Sequence, residues 1–206
     1  MFVLGKKYRS LSVKLTIFVS MFMLFACSNT HYNFPAVHNP QQSWRQHYLD
    51  ISNLSKVRAS GIISIRTSDQ VVSANFIWEQ NADQYNLTVY DSFGLHEAHI
   101  YGDSQHANLV WQKKHYVDSS VTHLMQRNLG WSLPMNGMLM WIKAIPSNKA
   151  LYTVQLNRYG FAYTMKQLGW RFTYTNYMKV KQYALPGKII MHNKLAHVVL
   201  VIKHWY

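Results

Sequence analysis

Between residues 57 and 203 apolar side chains recur mostly at every second position, and this restricts the possible folds more than anything else in the chain. Such alternation makes strands with one buried and one wet face. Ile63 and Ile65 oppose Ser64 and Arg66. Val72, Ala74, Phe76 and Trp78 oppose Ser73, Asn75 and Glu79, and Tyr85, Leu87 and Val89 oppose Asn86 and Thr88. Polar turns, Thr67-Ser68-Asp69-Gln70 and Asn81-Ala82-Asp83, part these runs. More strands are expected over 95–101, 107–117, 151–157, 161–166, 170–176, 188–192 and 196–203. In the run 170–176, Trp170, Phe172 and Tyr174 share a face.

Helical spacing interrupts the alternation. Ser43 opens a segment with Trp44, His47, Tyr48, Ile51 and Leu54 on one face. Asp118 or Ser119 caps another, with Val121, Leu124, Met125 and Leu129 inward and Gly130 at its end. After Pro134, Met138, Trp141 and Ile142 mark a short helix that stops before Pro146. The expected fold is mainly β with helices (α+β): one curved antiparallel sheet under a helical cover.

The N-terminal end reads differently. Lys6, Lys7, Arg9 and Lys14 precede a twelve-residue, mostly apolar run, 15–26, that leads into Cys27, the single cysteine. This is the pattern of a secretory signal. It is short for a membrane span, which needs about 20 apolar residues. Leu24-Phe25-Ala26-Cys27 resembles the lipobox of bacterial lipoproteins, which implies cleavage after residue 26 and acylation of Cys27. The polar stretch that follows holds Pro35 and Pro40, and residues 27–42 are expected to be a flexible tether to a domain at 43–206. In enteric bacteria an Asp after the acylated Cys retains lipoproteins in the inner membrane. Ser28 is compatible with passage to the outer one.

Loss of the signal would lower the formal charge from +13 to +9, because four basic residues leave with it. The remaining cations form no run of the kind that marks a nucleic-acid tail, and export argues against that partner. With its thiol acylated the chain has no disulfide framework. Eleven His invite a metal reading, but His96 and His99 fall on opposite faces of a strand and no HExxH is present, so no metal and no cofactor are expected. No GxSxG, P-loop or GxGxxG occurs, and Asp91 with Glu97 reads as loop solvation. No enzymatic activity is expected.

Ser43-Trp44-Arg45-Gln46-His47, Ser73-x-x-Phe76-x-Trp78-x-Gln80, Tyr85-x-Leu87, Gly94, Pro134, Trp141-Ile142, Pro146 and Gly169-Trp170 together resemble the LolB family of outer-membrane lipoproteins. The likeness covers most of the chain after the signal. It implies an unclosed antiparallel β-barrel covered by helices around a hydrophobic cavity. It also implies an acceptor, expected to be a monomer, that takes triacylated lipoproteins from a LolA-type periplasmic chaperone. The acceptor would place them among the lipids of the outer membrane, facing the periplasm and held by Cys27. The rival reading is a lipid-anchored envelope assembly or structural protein that carries no lipid.

The turn Tyr90-Asp91-Ser92-Phe93-Gly94-Leu95 puts a ring and a Leu where turn tips are normally polar. The resemblance makes Phe93, with Ser92, Gly94 and Leu95, the loop that assists membrane delivery. Phe93 stands where the family usually has Leu, and Ser92 stands where it often has Pro, so a less rigid loop is expected. The acyl chains would lie against the apolar faces of the strands and covering helices. Ile63, Ile65, Phe76, Trp78, Leu87, Val89, Met125, Trp141, Phe172 and Tyr174 are the candidates, each weighed against plain core packing.

Overall fold

The computed structural model describes residues 33–147 and 150–206, so Cys27 and the signal segment lie outside the described residues. The chain enters through α1 (Pro40–Ser52). Six strands follow: β1 (Lys56–Arg66), β2 (Val71–Asn81), β3 (Gln84–Tyr90), β4 (Glu97–Gly102), β5 (Ala107–Trp111) and β6 (Lys114–Asp118). Two helices, α2 (Val121–Leu129) and α3 (Met135–Trp141), interrupt the strands. Then come β7 (Tyr152–Leu156), β8 (Ala162–Gln167), β9 (Trp170–Thr175), β10 (Met178–Val180), β11 (Tyr183–Leu185), β12 (Lys188–His192) and β13 (His197–Trp205).

Eleven strands form one sheet in the order β6-β5-β4-β3-β2-β1-β13-β12-β9-β8-β7, antiparallel at each step. The end strands β6 and β7 are not neighbours, so the barrel stays unclosed. β10 and β11 make a separate hairpin. On the concave side α2 packs on β5 and β6, and α1 meets β7 and β11. Trp141 of α3 rests on Phe172 of β9, with ring centroids 4.8 Å apart.

Antiparallel pairing sorts the turns onto two rims. The turns β1–β2, β3–β4, β5–β6, β8–β9 and β12–β13 lie on one, here the upper rim. The turns β2–β3, β4–β5 and β7–β8 lie on the lower.

Several boundaries differ from the sequence reading. α1 starts at Pro40 rather than Ser43, because Asn39 caps it by accepting the Gln42 N–H at 3.1 Å and Pro at the first helical position presets φ. The described part of the expected tether is docked, not loose. Val37 donates its N–H to Arg158 O at 3.0 Å, and the Phe34 ring meets Phe161 edge-on at 5.1 Å. Ser120, not Asp118 or Ser119, caps α2 and accepts from His123 N–H at 3.3 Å. Asp118 accepts the Ser120 N–H instead. Gly130 closes α2 with φ +76°.

The expected strand 107–117 is a hairpin. It turns on Gln112 and Lys113, both left-handed (φ 53° and 62°). Such turns are usually written with Asn and Gly, and neither residue announces this one. Leu95 lies in a loop, and β4 begins at Glu97. The β10–β11 hairpin is too short to show alternation and has no counterpart in the sequence reading.

Candidate functional site

The ten interior candidates come together beneath the helical cover. All are between 0 and 7 % exposed. The register shows how the sheet supplies one patch: Ile65, Val198, Met191, Phe172 and Met165 are successive partners across five strands, and all point inward. Val198, Met191 and Met165 were not among the candidates, although the period-two pattern of their strands carries them. At this exposure the ten side chains are withdrawn from water.

Three donors are trapped on this inward face. Trp78 Nε1–H, Tyr85 O–H and Tyr174 O–H find no acceptor among the described residues. Burial pushes the Tyr174 phenol well above its ordinary value. A buried donor without an acceptor costs about 1–3 kcal/mol.

A few polar groups reach into the cover. Gln167, at the upper end of β8, accepts from Trp141 Nε1–H at 2.7 Å and Ser147 N–H at 2.9 Å. Its own amide donates to Ser147 O and Ala150 O. This one side chain thereby joins α3 to the approach of β7. Lys143, only 1 % exposed, donates from Nζ to Leu54 O at 3.1 Å, just past the end of α1. A cation suits the negative end of a helix, but burial pushes the Lys143 ammonium down to about 8. In α1, His47 faces Phe161 at 4.8 Å, and its Nε2 has no partner among the described residues. Burial pushes the His47 imidazole down to about 4, against a smaller opposing pull from Asp50. Neither Gln167 nor Lys143 was singled out in the sequence, where a lone Gln or Lys carries no periodic signal.

The Phe93 turn is the opposite of the interior. Phe93 is 86 % exposed and Leu95 also stands in solvent. The Asp91 carboxylate organises the loop: Oδ1 accepts from Phe93 N–H at 3.0 Å and Leu95 N–H at 2.9 Å, and Oδ2 meets His96 Nδ1 at 2.8 Å. These bonds, the His96 one first, hold the Asp91 carboxyl below its usual range. Gly94 takes φ +68°, which suits Gly, and its N–H closes the turn onto Asp91 O. Asp91 is therefore a structural staple, not a merely solvated loop acid. The looseness expected from Ser92 in place of Pro is offset by it. His99 lies between Thr88 and Glu97, and among the described residues no group of His, Cys, Asp and Glu could hold a metal.

An unclosed antiparallel barrel with helices over an apolar interior is a fold that is found in solved structures. A LolA superfamily protein from Nitrosomonas europaea shares it with a TM-score of 0.52, at 12 % identity over 80 % of this chain and 92 % of that one. At that identity the likeness concerns fold alone. The sequence itself goes further. Residues 55–205 match the family model described as outer membrane lipoprotein LolB. The chain is 30 % identical to an outer-membrane lipoprotein LolB of Coxiella burnetii, covering 96 % of this chain and 95 % of that protein. It is 31 % identical to one of Francisella tularensis subsp. novicida, covering 97 % and 95 %. The chain belongs to the LolB family.

Proposed function

We propose that this protein is the lipoprotein acceptor of the outer membrane. In this reading it takes triacylated lipoproteins from a LolA-type chaperone, shelters their acyl chains under the helical cover and releases them into the bilayer. Family membership over nearly the whole chain carries the reading. Each buried methylene contributes about 0.8 kcal/mol, so such chains need a carrier between membranes. No bond is made or broken. The lining supplies apolar area, and the Trp78 and Tyr174 donors would meet the ester oxygens of a bound lipid. Phe93 would enter the interface at delivery, with Asp91 fixing the tip. Anchoring would be through Cys27, with the domain facing the periplasm.

One observation favours the rival assembly-protein reading: the ten lining candidates are buried. In an acceptor, this closed state is the resting one, and the cover must lift before a chain can enter. Mixing the protein, reconstituted in liposomes, with a LolA-type chaperone loaded with a labelled lipoprotein separates the two. Transfer of the label onto this protein is expected. A well-folded protein that takes none would leave the family likeness as one of fold. Replacing Cys27 by Ala should release the protein from membranes; retention would count against the anchor.

A further inference from the structure

All eight acidic residues of the chain lie between Asp50 and Asp118. The half of the sheet built by β7, β8, β9, β12 and β13 therefore has no carboxylate side chain of its own. On its outer face, near the upper rim, the register brings together Lys166, Arg171, His192 and His197 as successive cross-strand partners, and Arg66 of β1 completes the row. All five are exposed, directly above the inward apolar row that begins at Ile65. Four strand spacings make this row about 19 Å long. Like charges placed opposite one another, as Lys166 and Arg171 are, destabilise a sheet. An arrangement of this kind points to an external counter-charge. A groove of about 380 Å³ runs along the same face, where Thr153, Thr164 and Thr173 stand among Lys166, Arg171 and His192.

Beside this row the upper-rim turns carry apolar tips. Leu195 is 79 % exposed at the tip of the β12–β13 turn, next to Lys194. Leu168 is 58 % exposed in the β8–β9 turn, at φ 50°, a left-handed position that Asn or Gly fills far more easily. Leu151, at the entry to β7, is 97 % exposed. The lower rim offers a matched control. In the β4–β5 turn, Asp103 N–H donates to His106 O, and the Asp103 carboxylate accepts from Gln105 and His106 N–H. In the β12–β13 turn, Asn193 makes the same three bonds with Ala196 and Leu195. The frames are alike, yet the lower tip is Ser104-Gln105 and the upper is Lys194-Leu195. Turn geometry does not ask for the Leu.

From this juxtaposition we infer that the upper rim on the carboxylate-free half is a second membrane contact. Leu168 and Leu195 enter the interface as shallow wedges, and the row from Arg66 to Lys166 engages the phosphates of anionic phospholipids. Separate apolar tips suit a fluid interface, and the cations Arg66, Arg171 and Lys166 suit its negative surface. The β3–β4 turn lies on the same rim, so this contact would set the tilt at which Phe93 meets the bilayer. The inference takes from the proposed function only that the protein works at a membrane.

The test uses the full chain in liposomes, with a polarity-sensitive dye on a Cys introduced at Leu195, Leu168 or, as control, Gln105, and with the unsubstituted chain as blank. Vesicles are phosphatidylcholine with or without about one-third phosphatidylglycerol, and the quencher sits on the lipid. Quenching at 195 and 168 is expected to be several-fold above that at 105 with phosphatidylglycerol. It should fall toward the control without it, or when Lys166→Glu and Arg171→Glu are combined. Equal quenching at the three sites, or quenching indifferent to both charge changes, would overturn the inference. So would a charge-reversed protein that keeps its lipid contact but no longer receives label from the chaperone, since the row would then dock a protein. A protein that accepts no lipoprotein yet shows the quenching pattern loses the proposed function and keeps this one.

Discussion

The Phe93 turn and the barrel interior are built from the same residue types and end in opposite states. Phe93 stands in solvent on a stapled loop, while Phe76, Trp78 and Phe172 are sealed under three helices. In the proposed function the turn is already in position to work, and the interior would work only after the cover moves. Substitutions at the tip should therefore change delivery and leave stability alone, and those in the cover should change stability and uptake together. The largest expected effect tests the first half. Phe93→Glu should leave the melting temperature and receipt from the chaperone unchanged, because the side chain touches no core. Release into vesicles should fall by about tenfold or more, since a charge must then enter the interface. Release at the normal rate in that variant would remove the loop from the mechanism.

Acid should reach the cover before it reaches the carboxylate of the Phe93 turn. His47 has a folded value of about 4 against an ordinary 6.5, so the unfolded chain binds the extra proton first. The stability that neutral His47 contributes is complete above pH 6.5 and is lost as pH falls from there through 4, up to about 3 kcal/mol. Urea melts at pH 7 and pH 5 should show the loss, and His47→Phe should flatten it. A wild-type slope that persists in His47→Phe would assign the acid sensitivity elsewhere.

Much of this contrast could be read in the sequence. Alternation in 57–66 and 71–89 placed Ile63, Ile65, Phe76, Trp78, Leu87 and Val89 inward, where they are, because a buried face leaves no freedom of register. The Phe93-Gly94 turn stood out because its tip broke the polar rule. What stayed hidden has no periodic signature. The Gln112-Lys113 and Leu168-Gly169 turns carry side chains that turns seldom use, so one hairpin read as a single strand. Asp91 as a staple, Gln167 as a clamp and Lys143 as a buried cation each depend on a partner far away or on loop geometry. The row from Arg66 to Lys166 joins residues far apart in the chain, Arg66 and His197 above all, and exists only once the register is known.

Lys143 is the buried cation of the cover. Its ammonium is held under the helices by one carbonyl, and a shift from 10.5 to about 8 corresponds to about 3 kcal/mol of lost hydration. Because the folded value lies below the unfolded one, that penalty is present in full below pH 8 and fades as pH rises toward 10.5. Lifting the cover would return the cation to water, so Lys143 lowers the cost of opening. Lys143→Met removes the penalty and the bond to Leu54 O, a net gain near 2 kcal/mol at pH 7. The variant should melt higher and accept lipoprotein more slowly. A variant that melts higher but accepts at the wild-type rate would show that the cover opens elsewhere.

The smallest effect concerns the staple itself. Asp91→Ala deletes the acceptor of the Phe93 and Leu95 N–H groups, both of which can turn to water instead. The stability change should therefore be small. Release should fall several-fold through a looser tip, because Phe93 would enter the interface from many orientations rather than one. Asp91→Asn keeps the oxygen that accepts both N–H groups and should restore most of the rate, although its bond to His96 loses the charge. If Ala and Asn behave alike, the negative charge of Asp91 matters more than the geometry it imposes. If both release at the wild-type rate, Phe93 needs exposure alone, and the loop's order is incidental to delivery.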